Sequence, residues 1–150
     1  MTAVTRNEGP NGTSFILAEG TSTLAHYPHA RAAGGLLWVS GLSARRPDQS
    51  IPGVVRGPAG VTRDFGAQAE GVFDNLERVL AAAEADLSHV VDIFAMLVDL
   101  ADYPAFNEAY NRRFDAQGGP TRTTCVVRSL PLPDLLIELK VVAVDPGARP

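Results

Sequence analysis

Three kinds of side chain in this sequence could do chemistry on a small charged molecule: an acid set among aliphatic residues, arginines able to grip a carboxylate, and a tyrosine and histidine ahead of a glycine pair. Glu138 lies in LLIELKVV, where an acid is rarely buried without a partner or a purpose. Burial would raise its pKa toward that of a useful general base, and a nearby arginine would lower it again. Glu138 and Lys140 share one face of a strand about 7 Å apart, so a structural ion pair is the competing reading. Arg122 lies in the β-branched run TRTTCVVRS. Its planar fork suits a carboxylate held through two parallel hydrogen bonds, and the alternative is a solvated strand arginine in a surface ion pair. In HYPHARAAG, His29 could relay a proton, with an unperturbed pKa near 6.5, or be a polar loop residue. Tyr27 could offer a ring and a hydroxyl to a ligand, or pack in a subunit contact. Arg45 and Arg46, in SARRPD, read as an exposed turn or as a loop clamp.

Other chemistries lack their residues. Cys125 is the only cysteine, which excludes an intrachain disulfide and a cysteine-rich zinc site and fits a reducing cytoplasm. His26 and His29 have an H-x-x-H spacing, but Pro28 breaks helical geometry between them, so we expect no metal. The H-x-E and P-C-x-x-C pair of zinc deaminases is missing. No phosphate or dinucleotide loop has its strand, lysine and helix context, so no cofactor is expected. Lys140 is the only lysine and hence the only candidate for Schiff-base chemistry. A net charge of −4 argues against a nucleic-acid partner, which needs clustered positive charge. With neither a signal-type leader nor a run long enough to span a bilayer, we expect no membrane partner and a cytoplasmic location.

The elements that must position these residues are legible from periodicity. SFILAE (14–19) and GLLWVSG (35–41) read as strands, with an irregular or edge segment between them. RRPDQSIPGVVRGPAG (45–60) reads as a long excursion outside the core. Thr62 or Asp64 caps a helix running to about residue 85, with apolar residues recurring every three or four positions. VVDIFAMLVDL (90–100) predicts a central strand covered on both faces. Asp102 then caps a second helix with Pro104 in its first turn, and Asn107 and Tyr110 share one of its faces. Gly118, Gly119 and Pro120 stop that helix. Residues 121–129 and 135–144 complete the strands. The order is β-β-α-β-α-β-β in one domain over 1–150, with 1–12 a frayed polar arm. This is an α+β fold, a mixed β-sheet with two helices packed on one face. Its other face would leave apolar side chains exposed in a monomer, which predicts oligomerisation.

Four stretches in this order resemble the RidA/YjgF/UK114 family: YPHARAAGGLLWVSG, NLERVLAAAEADLSHVVDIFAMLVDLADYPAFNEAYNRRF, GPTRTT and LPLPDLLIELKVVA. The resemblance covers about residues 27–144. SGLSARRPDQSIPGV, GPTRTT and PDLLIELK make it closest to the 2-aminomuconate deaminase branch. It implies a chorismate-mutase-like fold, a homotrimer, and clefts between neighbouring subunits. By the same resemblance, the substrate-carboxylate arginine falls on Arg122, the water-positioning glutamate on Glu138, the cleft tyrosine on Tyr27 and the cleft glycine on Gly41. Asn107 matches an asparagine that supports the cleft, and His29 takes a place lining it. A cysteine often found two residues after the arginine is replaced by Thr124. Cys125 comes one residue later and faces the opposite side of a strand, so no reactive thiol is expected.

The implied reaction is hydrolysis of a carboxylate-bearing imine or enamine. It needs the C=N group held, its nitrogen protonated, and water delivered to its carbon. The substrate suggested by the branch, 2-aminomuconate, carries two carboxylates. Arg122 would hold one, and Arg45 or Arg46, beside Gly41, the other. The alternatives are a general 2-iminoacid deaminase, a tailoring enzyme for a biosynthetic enamine, or a non-catalytic small-ligand binder.

Overall fold

Seven short strands build one sheet. The computed structural model describes residues 3–148. The strands are β1 (Val4–Gly9), β2 (Gly12–Leu17), β3 (Ala30–Ala33), β4 (Leu36–Leu42), β7 (Val90–Leu97), β8 (Thr121–Val126) and β9 (Ile137–Val144). Their order is β1-β2-β3-β4-β9-β7-β8. Only β7 and β8 run parallel, joined by α2 (Tyr103–Asn111), which makes the sheet mixed. A separate hairpin, β5 (Val54–Gly57) and β6 (Gly60–Arg63), precedes α1 (Phe65–Ala82).

One face of the sheet carries the core. Leu37, Val39, Ile93, Ala95, Ile137, Leu139 and Val141 alternate onto it and are buried with Val72, Phe73, Leu76 and Leu80 of α1. Phe106 of α2 stacks on Phe73 with ring centroids 6.4 Å apart. Asp64 starts α1 as expected, its carboxylate accepting from the Ala67 N–H at 3.1 Å. The opposite face has no covering layer within the protomer. Ile16, Trp38, Phe94 and Val144 are exposed there, Trp38 by 45% and Phe94 by 36%. Large apolar side chains on an open sheet face are costly to leave in water.

Several local expectations differ from this structure. The polar leading segment is not a frayed arm from Val4 onward: β1 pairs with β2 from Val4↔Leu17 to Gly9↔Gly12, and Arg6 reaches the Ala82 carbonyl at 3.2 Å. Residues 1 and 2 lie outside the described residues. The supposed edge segment contains β3, an interior strand, because Pro28 falls before the ladder begins and removes no bond from it. The excursion at 45–60 holds the β5–β6 hairpin, turned by Gly60 at φ +117°. β7 is covered on one face only, since a continuous apolar run does not distinguish two buried faces from one buried and one facing a partner. Asp102 makes no capping bond. Asp99 instead accepts from the Ala101 N–H and starts a short 3-10 turn that leads into α2. That helix ends at Asn111, well short of Gly118.

The segment before β9 is anchored by buried polar groups. Asp134, buried, accepts from Arg63 at 2.6 and 2.9 Å and also pairs with Arg56, which ties the β5–β6 hairpin down. Gln68 of α1 is fully buried, donating to the Asp134 carbonyl and accepting from the Leu136 N–H, both at 2.9 Å. Gln68→Leu would strand two backbone groups in the interior. It should lower stability by about 2–4 kcal/mol, read from the urea midpoint at fixed protein concentration.

Candidate active site

Strand register decides where each candidate residue points. Arg122 pairs with Ile93, which is buried under the helices, so its side chain leaves the sheet on the helix-bearing face at the free edge formed by β8. There α2 receives it. Nη2 donates to Asn107 Oδ1 at 2.9 Å and to the Tyr103 hydroxyl at 3.1 Å. The guanidinium carbon lies 4.6 Å from the Tyr110 ring centre, 5.2 Å from Phe106 and 5.7 Å from Tyr103. Aromatic faces favour a cation and leave its in-plane N–H groups available. Among the described residues Arg122 forms no ion pair, so the surface-bridge reading is not what the structure shows. Thr124, two residues on and beside Ala95, shares this face, and its buried hydroxyl has no hydrogen-bond partner. Arg122, Thr124, Tyr103 and Leu100 line a cavity of about 240 Å³.

Glu138 pairs with Met96, three positions beyond Ile93, and so points to the opposite, open face. Burial pushes its carboxyl above the usual carboxylate range, and the Arg45 guanidinium pulls it part of the way back. It packs against Gly41, where any Cβ would collide with the Glu138 carboxyl. The Glu138–Lys140 ion pair of the competing reading does not form. Lys140 Nζ donates instead to the Val39 carbonyl, and burial lowers its pKa.

Gly41 also lines a small cavity of about 50 Å³ with Tyr27, His29, Arg45 and Asn75. Tyr27 is half exposed, its hydroxyl accepting weakly from the Leu24 N–H at 3.4 Å. His29 is held at both nitrogens: Nδ1 accepts from the Leu17 N–H at 3.2 Å and Nε2 meets the Thr21 carbonyl at 2.9 Å. With both nitrogens engaged by backbone groups, neither is free to relay a proton in this arrangement. Arg45 is not part of an exposed turn. It is 7% exposed and donates to Gln49 Oε1 at 2.6 Å and the Ser22 carbonyl at 3.1 Å. Arg46 is exposed, bonds Ser50, and lies outside this cavity.

Sequence reasoning thus named two groups that the fold keeps apart. Arg122, Asn107 and Thr124 form one on the helix side. Gly41 and Glu138, with Tyr27 and Arg45 near Gly41, form the other. Tyr103 and Phe106, which cradle Arg122 together with Tyr110, were not singled out. Their spacing with Asn107 and Tyr110 along α2 marks a single helical face and could have revealed them. Asn75, which donates to the Ser43 and Arg45 carbonyls at 2.8 Å, was also missed, and no sequence pattern distinguishes it from a solvated helix residue. Among the described residues no helix is long and apolar enough to cross a membrane.

Comparison with known proteins agrees with this architecture. The family model described as endoribonuclease L-PSP matches residues 19–145. The chain is 34% identical over 130 residues to 3-aminoacrylate deaminase RutC of Acinetobacter baylyi, covering 86% of this chain and 95% of that one. It is 43% identical over 85 residues to DfrA of Myxococcus xanthus, covering 57% of this chain and spanning only 63% of DfrA's length. The solved structure of protein YJGH superposes with a TM-score of 0.75 at 28% identity, covering 92% of this chain and 99% of that one. With this sheet order, these two helices and a family match over most of its length, the chain belongs to the RidA/YjgF/UK114 family.

Proposed function

We propose that this protein is an imine and enamine deaminase working in clefts between adjoining protomers of a homotrimer. The observation that carries this reading is the Arg122 guanidinium, held in place by neutral partners beside the unpartnered Thr124 hydroxyl. Both bonds are made by Nη2, so the Nε and Nη1 N–H groups remain for a carboxylate, and Thr124 lines the same cavity. The RutC relative is named for deaminating 3-aminoacrylate, a carboxylate-bearing enamine. Arg122 and Glu138 leave opposite faces of one sheet, so the reaction requires Arg122 of one copy and Glu138 of the next. The exposed apolar face that carries Glu138 is the surface that such an assembly would cover.

In this cleft the enamine tautomerises to its imine while Arg122 and Thr124 hold the carboxylate. Glu138 takes a proton from water, and the hydroxide adds to the imine carbon. Glu138 passes that proton to the nitrogen, giving the carbinolamine, and then moves the hydroxyl proton to the amine; the C–N bond breaks, ammonia leaves and a 2-oxo acid remains. The reactive substrate asks only for positioning and modest proton transfer.

For the substrate itself we favour a diacid of the 2-aminomuconate type. Arg45 is next to Gly41, and its two bonds use two of five N–H donors. The burial of Arg45 supports a second reading, a general 2-iminoacid deaminase in which that arginine only braces the loop.

Glu138→Gln should lower kcat about 100-fold, and Arg122→Ala should lower kcat/KM by a similar factor, both measured as ammonia release. Because Glu138 must be ionised and burial raises its pKa, the rate should fall as pH drops through a value above the ordinary glutamate range. That acid limb should vanish in Glu138→Gln, and a limb that stays would assign it to another group. Co-assembled Arg122→Ala and Glu138→Gln chains should regain about a quarter of wild-type activity, because random mixing gives that share of clefts both native residues. No recovery would place both residues in the same protomer's site. Arg45→Met should raise KM for 2-aminomuconate roughly tenfold or more while leaving that for 2-iminopropionate within about twofold. Equal changes would decide for the general deaminase.

A further inference from the structure

We propose that Lys140 is a positioning residue for this reaction: it locks the β-bulge that seats Gly41 against Glu138 and so fixes where the carboxyl can reach. The inference rests on Glu138 acting as the base. Between the pairs Val39↔Val141 and Leu42↔Leu139, β4 contributes two residues, Ser40 and Gly41, where β9 contributes one, Lys140. Such an extra residue kinks the strand, interrupts the ladder and re-aims its neighbours. Lys140 stands opposite the interruption, and its Nζ donates to the Val39 carbonyl.

The far side of the bulge is tied as well. Ser40 donates its N–H to the His29 carbonyl at 3.0 Å and its hydroxyl to the Pro28 carbonyl at 2.7 Å. Between these two anchors Gly41 lies against Glu138, where an added Cβ would push the carboxyl from its present position. The bulge therefore acts as a wall for the Glu138 side chain, and Lys140 holds the wall in register. A half-buried ammonium is an expensive way to bond one carbonyl, as its lowered pKa shows. Among the described residues neither Lys140 nor Glu138 forms an ion pair, so charge neutralisation does not explain the lysine. Its unbranched stem delivers a donor to the carbonyl of Val39, the last residue in register before the interruption.

The test is a double-mutant cycle on ammonia release from 2-iminopropionate generated in the assay. It compares wild type, Lys140→Met, Glu138→Gln and the double variant, with thermal midpoint and oligomeric state recorded for each. Lys140→Met should lower kcat roughly tenfold with KM within about twofold, and should add nothing to the loss in Glu138→Gln. Lys140→Arg, which keeps a long donor, should recover most of the rate. Losses that multiply, a change in KM instead of kcat, or a Lys140→Arg protein as slow as Lys140→Met would overturn the proposal while leaving Glu138 as the base. A Glu138→Gln protein with the wild-type rate, or a wild type releasing no ammonia from either 2-iminopropionate or 2-aminomuconate, would overturn the functional reading itself. If Lys140→Met does not fold, Lys140→Gln enters the same cycle and is judged by the same outcomes.

Discussion

A pleated strand offers each side chain one of two faces, and that constraint governs how this protein can work. Arg122 goes with Ile93 to the helix side, and Glu138 goes with Met96 to the open side. No rotamer change moves a side chain through a hydrogen-bonded sheet. A single protomer can therefore hold a carboxylate or present a base, and a cleft holding both needs a second copy. The same constraint puts Trp38 and Phe94 on the side with Glu138, where the proposed assembly would bury them and complete the site in one event.

The two groups are tuned by opposite means. Arg122 keeps its charge in an environment of ring faces, a phenol and an amide, none of which neutralises it. Glu138 is set where water is scarce and only Arg45 opposes the rise in its pKa. A fixed cation with spare donors suits binding, while a carboxylate poised to accept a proton suits chemistry. Neither environment depends on rare residues. Both arise from where a strand ends and what the adjoining helix or loop presents.

The sequence was most informative where periodicity was long and apolar. The α1 stripe, the β7 run and the β9 run marked the helix-covered core, whereas the Gly-Pro stop after residue 117 overshot the end of α2 at Asn111. It was least informative where pairing partners are distant. β1 is polar along its length and becomes a strand only because β2 offers a ladder, and β3 is four residues long. For the site, Arg122 and Glu138 were legible as residues of interest, but their opposite facing depends on register, which no local pattern encodes. His29 looked free because its partners, the Leu17 amide and the Thr21 carbonyl, are backbone groups of a loop that folds back on it. Lys140 looked like a partner for Glu138 because spacing alone ignores a bulge on the neighbouring strand.

The parallel β7–α2–β8 unit has a further consequence for how the two halves come to exist. The bonds that hold Arg122 close segments of only 19 and 15 residues, whereas the lysine tether beside Glu138 joins residues 101 apart. Closing the longer segment costs about 1.7 kcal/mol more chain entropy than closing the shortest one. The Arg122 pocket is thus a local, nearly self-contained module, and the surroundings of Glu138 are a tertiary product of strands from both ends of the chain. Sequence drift within residues 103–126 can reshape the Arg122 pocket without touching the strands that pair on either side of Glu138.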